Sequence, residues 1–386
     1  MDKVFLHELL GRPTAPFRES HVASLVYEFL TREKIPYFVD PIGNIVVGVD
    51  SKNSYLKKVK DKHKEPVRIF IAHMDHPGFH GAKWVDEKTL AVTWHGGTPR
   101  KFLNGARVWL ADKTGWAGEG TIQKAKLNPM GSALESSWIV IKRLIHTDPK
   151  KNYSPHELYG GFAFSAPVWE KNKIIYTKAA DDLVGVFAIL SLAKGLKKKN
   201  RPFLGLLTRA EEVGFIGTIG HLDLGWLNKA RESVVFVSLE TSRTLPGALV
   251  GKGPIVRLGD RATPFDPSLV QILTQVAQRK LPENFQRRIM DGGTCEATAA
   301  ITFGFRAMGI SIPLGNYHNQ SFEGGPESRG EWGPAPEFVH TKDIEGMLAL
   351  CEGLMERSEL WADPWRSKRE NMIASKKAAK NLLKLS

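Results

Sequence analysis

Cysteine is nearly absent. The 386-residue chain has only Cys295 and Cys351, which excludes a disulfide framework and a four-cysteine zinc site. Long hydrophobic runs are missing as well; none approaches the ~20 residues of a membrane span. The opening Met1-Asp2-Lys3-Val4-Phe5-Leu6-His7 reaches Arg12 and Pro13 without an apolar signal core, so we expect no membrane association and a cytoplasmic location. Acidic residues are outnumbered, 41 Asp+Glu against 54 Lys+Arg, for a net +13. Such a surplus can mark a nucleic-acid or anionic-surface binder, but here it is concentrated. Residues 366–386 hold seven basic side chains against Glu370 alone. Lys197-Lys198-Lys199 follows an apolar helix pattern, where cations suit the C-terminal end of the dipole. Both runs read as solvated faces, and nucleic acid is not an expected partner. At 42% hydrophobic and 25% charged residues, disorder, collagen and coiled coil are excluded. The length suits two or three domains.

Along the chain, residues 20–32 carry the apolar stripe Val22, Leu25, Val26, Phe29 and Leu30, predicting a helix with Ser20 as N-cap. Residues 36–39 and 44–48 predict two strands around the turn Asp40-Pro41-Ile42-Gly43. A Lys-rich loop runs to Pro66 and a strand covers 67–72. From about Gly81 to Tyr176, short strands (89–94, 106–110, 138–141) alternate with Gly-rich turns and no sizeable amphipathic helix, which predicts an all-β insertion. Then α/β alternation returns. Helices are expected over 182–194, from Asp266 (N-cap, with Pro267 first) to Gln278, and over 343–358. Strands are expected over 203–207, 234–239 and within 303–312. Helices alternating with apolar strands argue for a sheet between helix layers.

The informative pattern lies in the residues at the end of each strand. Ile69-Phe70-Ile71-Ala72 runs into His73-Met74-Asp75, and Leu204-Gly205-Leu206-Leu207 into Thr208-Arg209-Ala210-Glu211-Glu212. Val234-Val235-Phe236-Val237 ends at Ser238-Leu239-Glu240, and Gly309-Ile310-Ser311-Ile312-Pro313 leads to Tyr317-His318. Ala180-Asp181-Asp182 opens a helix. Ligands of open α/β sheets bind outside the carboxyl ends of the strands, so five segments deliver acids or imidazoles to one rim. Adjacent carboxylates at a partly buried rim repel unless a cation compensates them. Two imidazoles with three carboxylates suit zinc, cobalt or manganese better than calcium or magnesium. Charge counting favours a pair of divalent ions, balanced by Asp181, Glu212, Glu240 and one bridging hydroxide.

With these residues in hand, the chain resembles the tetrahedral (TET) aminopeptidases, co-catalytic metallopeptidases of the wider zinc-exopeptidase group. The matching stretches are Asp40-Pro41-Ile42-Gly43-Asn44, Ala72-His73-Met74-Asp75, Ala180-Asp181-Asp182 with Gly185, and Glu211-Glu212-Val213-Gly214. Gly251-Lys252-Gly253-Pro254, Gly292-Gly293-Thr294 and Ser311-Ile312-Pro313 with Tyr317-His318 come next in order, to about residue 355.

The resemblance implies an α/β fold with a mixed central sheet between helix layers and an inserted small β-barrel-like domain. Residues 1–80 and 177–360 would form the catalytic domain, 81–176 an assembly domain, and 361–386 a basic tail. His73 and Glu240 would ligate the first metal, Glu212 and His318 the second, and Asp181 would bridge both. Asp75 would orient His73, and Glu211 would be the general base. Two divalent metals are implied, zinc first, with cobalt or manganese possible. The implied activity is release of N-terminal residues from short peptides through a metal-bridging hydroxide, by a homo-oligomer anywhere from dimer to dodecamer. Departures from the family pattern are Glu240 for Asp, His76-Pro77 after the first motif, Cys295-Glu296 after Gly-Gly-Thr, and Asn319-Gln320 after His318. Alternatives are a di-metal deacylase or carboxypeptidase-type amidohydrolase, and a basic binding protein on an inactive hydrolase scaffold. His95, His146, His221 and His340 read as structural or exposed, and Cys295 as packing.

Overall fold

The computed structural model describes residues 1–60, 65–144, 153–198, 203–356, 358–380 and 382. His146, Lys199, Leu383, Lys384 and Leu385 lie outside them. The chain begins with helices α1 (Lys3–Gly11) and α2 (Ser20–Arg32), the hairpin β1 (Tyr37–Val39) and β2 (Ile45–Val47), α3 (Lys52–Lys60) and strand β3 (Val67–His73). Six strands come after it: β4 (Gly78–Asp86), β5 (Thr89–His95), β6 (Arg107–Asp112), β7 (Gly115–Leu127), β8 (Leu134–Leu144) and β9 (Tyr159–Phe162). Next are β10 (Val168–Lys171), β11 (Ile174–Thr177), α4 (Leu183–Lys198), β12 (Leu204–Thr208), α5 (Ile216–Asp223), β13 (Val234–Arg243) and β14 (Ile255–Asp260). The chain closes with α6 (Pro267–Lys280), β15 (Gln286–Met290), α7 (Glu296–Thr302), β16 (Arg306–Leu314), β17 (Glu337–His340), α8 (Thr341–Leu354) and α9 (Arg366–Ala378).

The central sheet is mixed, in the order β1-β2-β12-β3-β13-β16-β14-β15. Its middle four strands, β12, β3, β13 and β16, run parallel. They are apolar on both faces, as strands covered by helices on two sides must be. Along β3, Phe70 and Ala72 pack with α1, α2, α4, α6 and α8, while Ile69 and Ile71 pack with α3, α5 and α7. In β13, Val235, Val237 and Leu239 face the first layer, and Val234 and Phe236 the second. The period-two alternation of a strand thus feeds two cores.

Strands β4-β5-β8-β7-β6-β9 close into a barrel, the insertion expected between the first histidine and Asp181. Phe79, Trp94 and Phe162 fill it, with Trp94 centred 5.0 Å from each of the other rings. A third sheet, β10-β11-β17, lies beside the segment that leads to Asp181.

Two local expectations are corrected. Ser20 is the first helical residue of α2, and Glu19 holds the cap position without capping; its carboxylate instead accepts from the backbone N–H of Phe17 and Ala210 and from Arg209. Part of the Lys-rich loop is the helix α3, because Tyr55 and Val59, four residues apart, both bury. Asp266 caps α6 as expected, accepting from the Leu269 N–H at 3.0 Å.

Candidate active site

The parallel strands aim their carboxyl ends at one cleft. His73 is the last residue of β3 and pairs in register with Thr208 at the end of β12, which hands on to Glu211 and Glu212. Glu240 in β13 lies opposite Ser311 in β16, whose continuation carries His318. Asp181 enters from the segment preceding α4. All seven residues singled out from the sequence meet there. Each is buried or nearly so: Asp75 is 0% exposed, His73 1%, Asp181 3%, Glu240 6% and His318 8%.

Asp181 stands at the centre. Its Oδ1 lies 3.7 Å from His73 Nε2 and its Oδ2 lies 3.6 Å from His318 Nε2, so each carboxylate oxygen faces a different imidazole. Thr241 Oγ1 donates to Oδ1 at 2.9 Å, fixing the rotamer. Glu212 Oε2 is 3.0 Å from His318 Nε2, and Glu211 Oε2 is 3.7 Å from His73 Nε2. Glu240 joins His73, Asp181 and Glu211 in the cleft wall, where Ser238 Oγ donates to its Oε1 at 2.6 Å. The cleft opens past Arg243, Leu245, Met290 and Thr294.

Asp75 uses both carboxylate oxygens on main chain. Oδ1 accepts from the Glu211 N–H at 2.9 Å and Oδ2 from the Glu212 N–H at 3.1 Å. His73 Nδ1 meets the Asp75 carbonyl oxygen at 3.2 Å, with the carboxylate farther off at 3.6 Å. Asp75 therefore registers the Glu211-Glu212 pair against the histidine.

The charge balance is severe. Burial opposes the charged forms of His73, Asp181, Glu211, Glu212, Glu240 and His318. Even so, Glu212 and Asp181 lift His318 to about 10, and Glu211, Asp181 and Asp75 lift His73 well above the ordinary imidazole range. Burial raises Glu211 well above the usual carboxylate range, with Glu212, Glu240 and Asp75 adding to it against His73. Burial likewise raises Glu212 and Glu240. Asp181 alone is held low: burial opposes it, but the attraction of the two facing histidines prevails.

This donor set fits divalent cations. His73, Asp181 and Glu212 each offer a ligand atom within 4.8 Å of the others. Glu212 Oε1 and His318 Nε2 are buried without a hydrogen-bond partner, orphaned atoms of the kind a metal satisfies. Mixed imidazole and carboxylate donors match zinc, cobalt or manganese.

Several neighbours matter that the sequence did not single out. Glu337, wholly buried, accepts from the N–H groups of Ala180, Asp181 and His318. Gly97, between β5 and β6, lies against the His318 ring. The one available signal for Glu337 was an acid between Pro336 and Phe338 at the start of a short apolar strand. His76 and Asn319, two departures from the family pattern, touch each other: His76 Nε2 lies 3.3 Å from Asn319 Oδ1, and His76 Nδ1 lies 2.9 Å from the Asp181 carbonyl oxygen.

Other candidates stay peripheral. His221 sits 2.8 Å from Asp40 Oδ2 and 3.1 Å from the Tyr55 hydroxyl, within the core. His340 caps α8, its Nδ1 accepting from the Lys342 N–H. His95 packs against His80, their ring centroids 4.4 Å apart and the planes tilted by 51°. Cys295 is buried, and burial pushes its thiol far up.

No curated protein matches this sequence. Among solved structures, the aminopeptidase APDkam598 from the archaeon Desulfurococcus kamchatkensis superposes with a TM-score of 0.71 at 22% identity, over 93% of this chain and 95% of that one. The Pyrococcus horikoshii TET1 peptidase, described as able to assemble into a tetrahedron or a large octahedral shell, gives 0.69 at 19% identity, over 92% and 99%. An M18-family aminopeptidase from Thermotoga maritima gives 0.64 at 14% identity, over 93% and 98%. At such identities these likenesses establish the fold. The sequence profile of the M42 glutamyl aminopeptidases matches residues 53–322, well over half of the length, so this chain belongs to the M42 glutamyl aminopeptidase family and is a peptidase.

Proposed function

We propose that the protein is a metal-dependent aminopeptidase that releases N-terminal residues from short peptides. One observation carries this reading: the two oxygens of Asp181 face His73 and His318 separately, with Glu211 3.7 Å from the first histidine and Glu212 3.0 Å from the second. A carboxylate so placed suits a bridge between two cations, with His73 and Glu240 on one side and Glu212 and His318 on the other. When bound, the metals supply Lewis acidity, polarising the scissile carbonyl and lowering the pKa of water in the cleft.

The remaining chemistry falls to the chain. Glu211 does not appear among the assigned ligands and faces the cleft, so its carboxylate is free to take a proton from the attacking water and return it to the leaving amine. Asp75, through the main chain of Glu211 and Glu212, keeps base and ligand in register. A surplus of buried carboxylate also attracts the free ammonium of a peptide, which favours exopeptidase over endopeptidase action.

We further read 1–80 with 177–360 as the catalytic unit, the barrel region 81–176 as the part serving assembly, and the protein as a cytoplasmic homo-oligomer. The tetrahedral or octahedral assembly of the TET1 peptidase supports the last point, and among the described residues no helix is long and apolar enough to cross a membrane. The test is a panel of aminoacyl and N-acylated peptides assayed after chelation and after return of zinc, cobalt or manganese, beside Glu211→Gln. Release of the first residue only from unblocked peptides, lost on chelation and reduced ~10²–10⁴-fold in the variant, is expected. Cleavage of acylated substrates would favour the deacylase alternative, and full activity in Glu211→Gln would remove the base.

A further inference from the structure

The groups that ligate or react in a metallopeptidase are only as well placed as the loops carrying them, and two such loops here share one buried carboxylate outside the proposed ligand set. Glu337 is the first residue of β17. That strand lies between β11, which leads to Asp181, and the turn that carries His318. On one side Ile174–Thr177 pairs antiparallel with His340–Glu337. On the other, Phe338 exchanges both main-chain hydrogen bonds with Gly315, at 2.9 and 3.1 Å. The Glu337 side chain extends the same bridging toward the cleft. Oε2 accepts from the Ala180 N–H at 2.7 Å and the Asp181 N–H at 3.3 Å, while Oε1 accepts from the His318 N–H at 2.8 Å.

The His318 turn needs such a hold. Asn316, His318 and Asn319 have φ of 53°, 56° and 56°, left-handed conformations costly for residues with a Cβ. A run of these persists only where surrounding contacts over-determine it. The N–H of His318 has Glu337 as its partner, and the neighbouring Ala335 N–H donates to the Asn319 carbonyl oxygen at 2.9 Å. Ala335 and Glu337, at the entry to β17, thus grip the turn from two points, and the carboxylate links it to the loop of Asp181.

We propose that Glu337 is a positioning residue that ties the Asp181 loop to the His318 turn and so sets the spacing between the central carboxylate and the second imidazole. This rests on the proposed reading of the cleft as a metal site, and it adds a residue of another kind, since the Glu337 carboxylate bonds to main chain rather than to a metal or substrate. It plays for Asp181 and His318 the part that Asp75 plays for Glu211 and Glu212.

The choice of substitutions comes from counting acceptors. Three N–H groups converge on two carboxylate oxygens. Glu337→Gln keeps the shape but leaves one acceptor and turns an NH2 toward a donor, so one loop loses its tether. Glu337→Asp keeps the charge but is one methylene too short to reach both loops. Each purified protein, stripped with chelator, is titrated with cobalt(II). Visible absorption reports the coordination geometry, chelator competition the affinity, and thermal unfolding before metal addition the fold. The parent is expected to bind two cobalt ions. Both variants are expected to unfold near the parental temperature, yet to bind the more weakly held ion about 10–100-fold less tightly, with an altered absorption band.

Variants that bind both ions with the parental affinity and spectrum overturn the proposal, whether or not their unfolding temperature falls. That outcome would leave Glu337 as a structural carboxylate and the metal site intact. A parent that binds no cobalt would instead sink the proposed function, and this inference with it.

Discussion

Gly97 abuts the Nδ1 edge of the His318 ring: a Cβ built on Gly97 would fall 2.1 Å from Nδ1 and 2.9 Å from Cε1. The barrel therefore reaches His318 through the loop between β5 and β6. No side chain fits there unless the ring or the loop moves. Gly97→Ala should lower kcat/KM and metal affinity by about 10–100-fold, the usual cost of disturbing a residue that supports a metal ligand. The unfolding temperature should change little, since the loop is not part of either core of the central sheet. Parental affinity in a chelator competition would show that the ring has slack.

Asp75 offers a second test of support through main chain. Asp75→Asn leaves a single acceptor for the N–H groups of Glu211 and Glu212, now 2.9 and 3.1 Å from the two oxygens. One of the pair should drift. We expect kcat to fall by about 10–100-fold, with KM for a short peptide nearly unchanged, because the substrate's own contacts remain. A steady-state rate series settles it: a rise in KM at constant kcat would contradict the assigned role.

The proposed ligands and base were legible because each lies just beyond, or within, an apolar strand, and apolar strands are what a sequence displays best. His73, Glu212, Glu240 and His318 needed only the rule that parallel strands end at one rim, whereas Asp181, which follows the antiparallel strand β11, showed itself by its place at the opening of a helix. Glu337 was not legible, since its part is to accept from three N–H groups of other segments, and a sequence does not announce where main chain will converge. Gly97 was hidden similarly: its meaning is the space it leaves for a ring 221 positions away. Helix α3 was obscured by its lysines, although Tyr55 and Val59 at helical spacing carried the signal. Strands β14 and β15 escaped because Arg257, Arg287 and Arg288 break their apolar pattern, Arg257 being buried near Glu240. The barrel was readable as β structure, whereas its closure depends on β9, a glycine-rich strand pairing with both β4 and β6.

His76 predicts a pH dependence. Burial, assisted by the neighbouring His318, lowers it to about 4, so it is neutral in the fold. Between its ordinary value of 6.5 and about 4, the unfolded chain takes up a proton that the folded chain does not. The stability it confers is complete above that window and lost as pH falls through it, on the order of 3 kcal/mol in all. In urea unfolding compared at about pH 7 and about pH 4.5, the parent should lose more stability than His76→Gln. Equal losses would mean that the imidazole is charged in the fold.

The basic tail gives the opposite kind of prediction. Helix α9 buries none of its residues, and Met372 and Ile373 stand 66% and 48% exposed. The chain before it is anchored: Trp365 Nε1 donates to Ser268 Oγ at 3.2 Å, Gln275 Nε2 to the Pro364 carbonyl oxygen at 2.7 Å, and Arg68 stacks over Trp361. The ion pairs of Arg366 and Arg369 with Glu359, Glu370 and Asp363 are exposed and worth little. A chain ending after Trp365 should therefore keep its unfolding temperature within about 2 °C, since surface changes of this kind stay within ~0.5 kcal/mol. Its peptidase rate should equal the parent's, because the anchor lies by β3's first residues and the cleft at its last. A drop in rate with no change in unfolding temperature would place the tail in an assembly contact that completes the active enzyme.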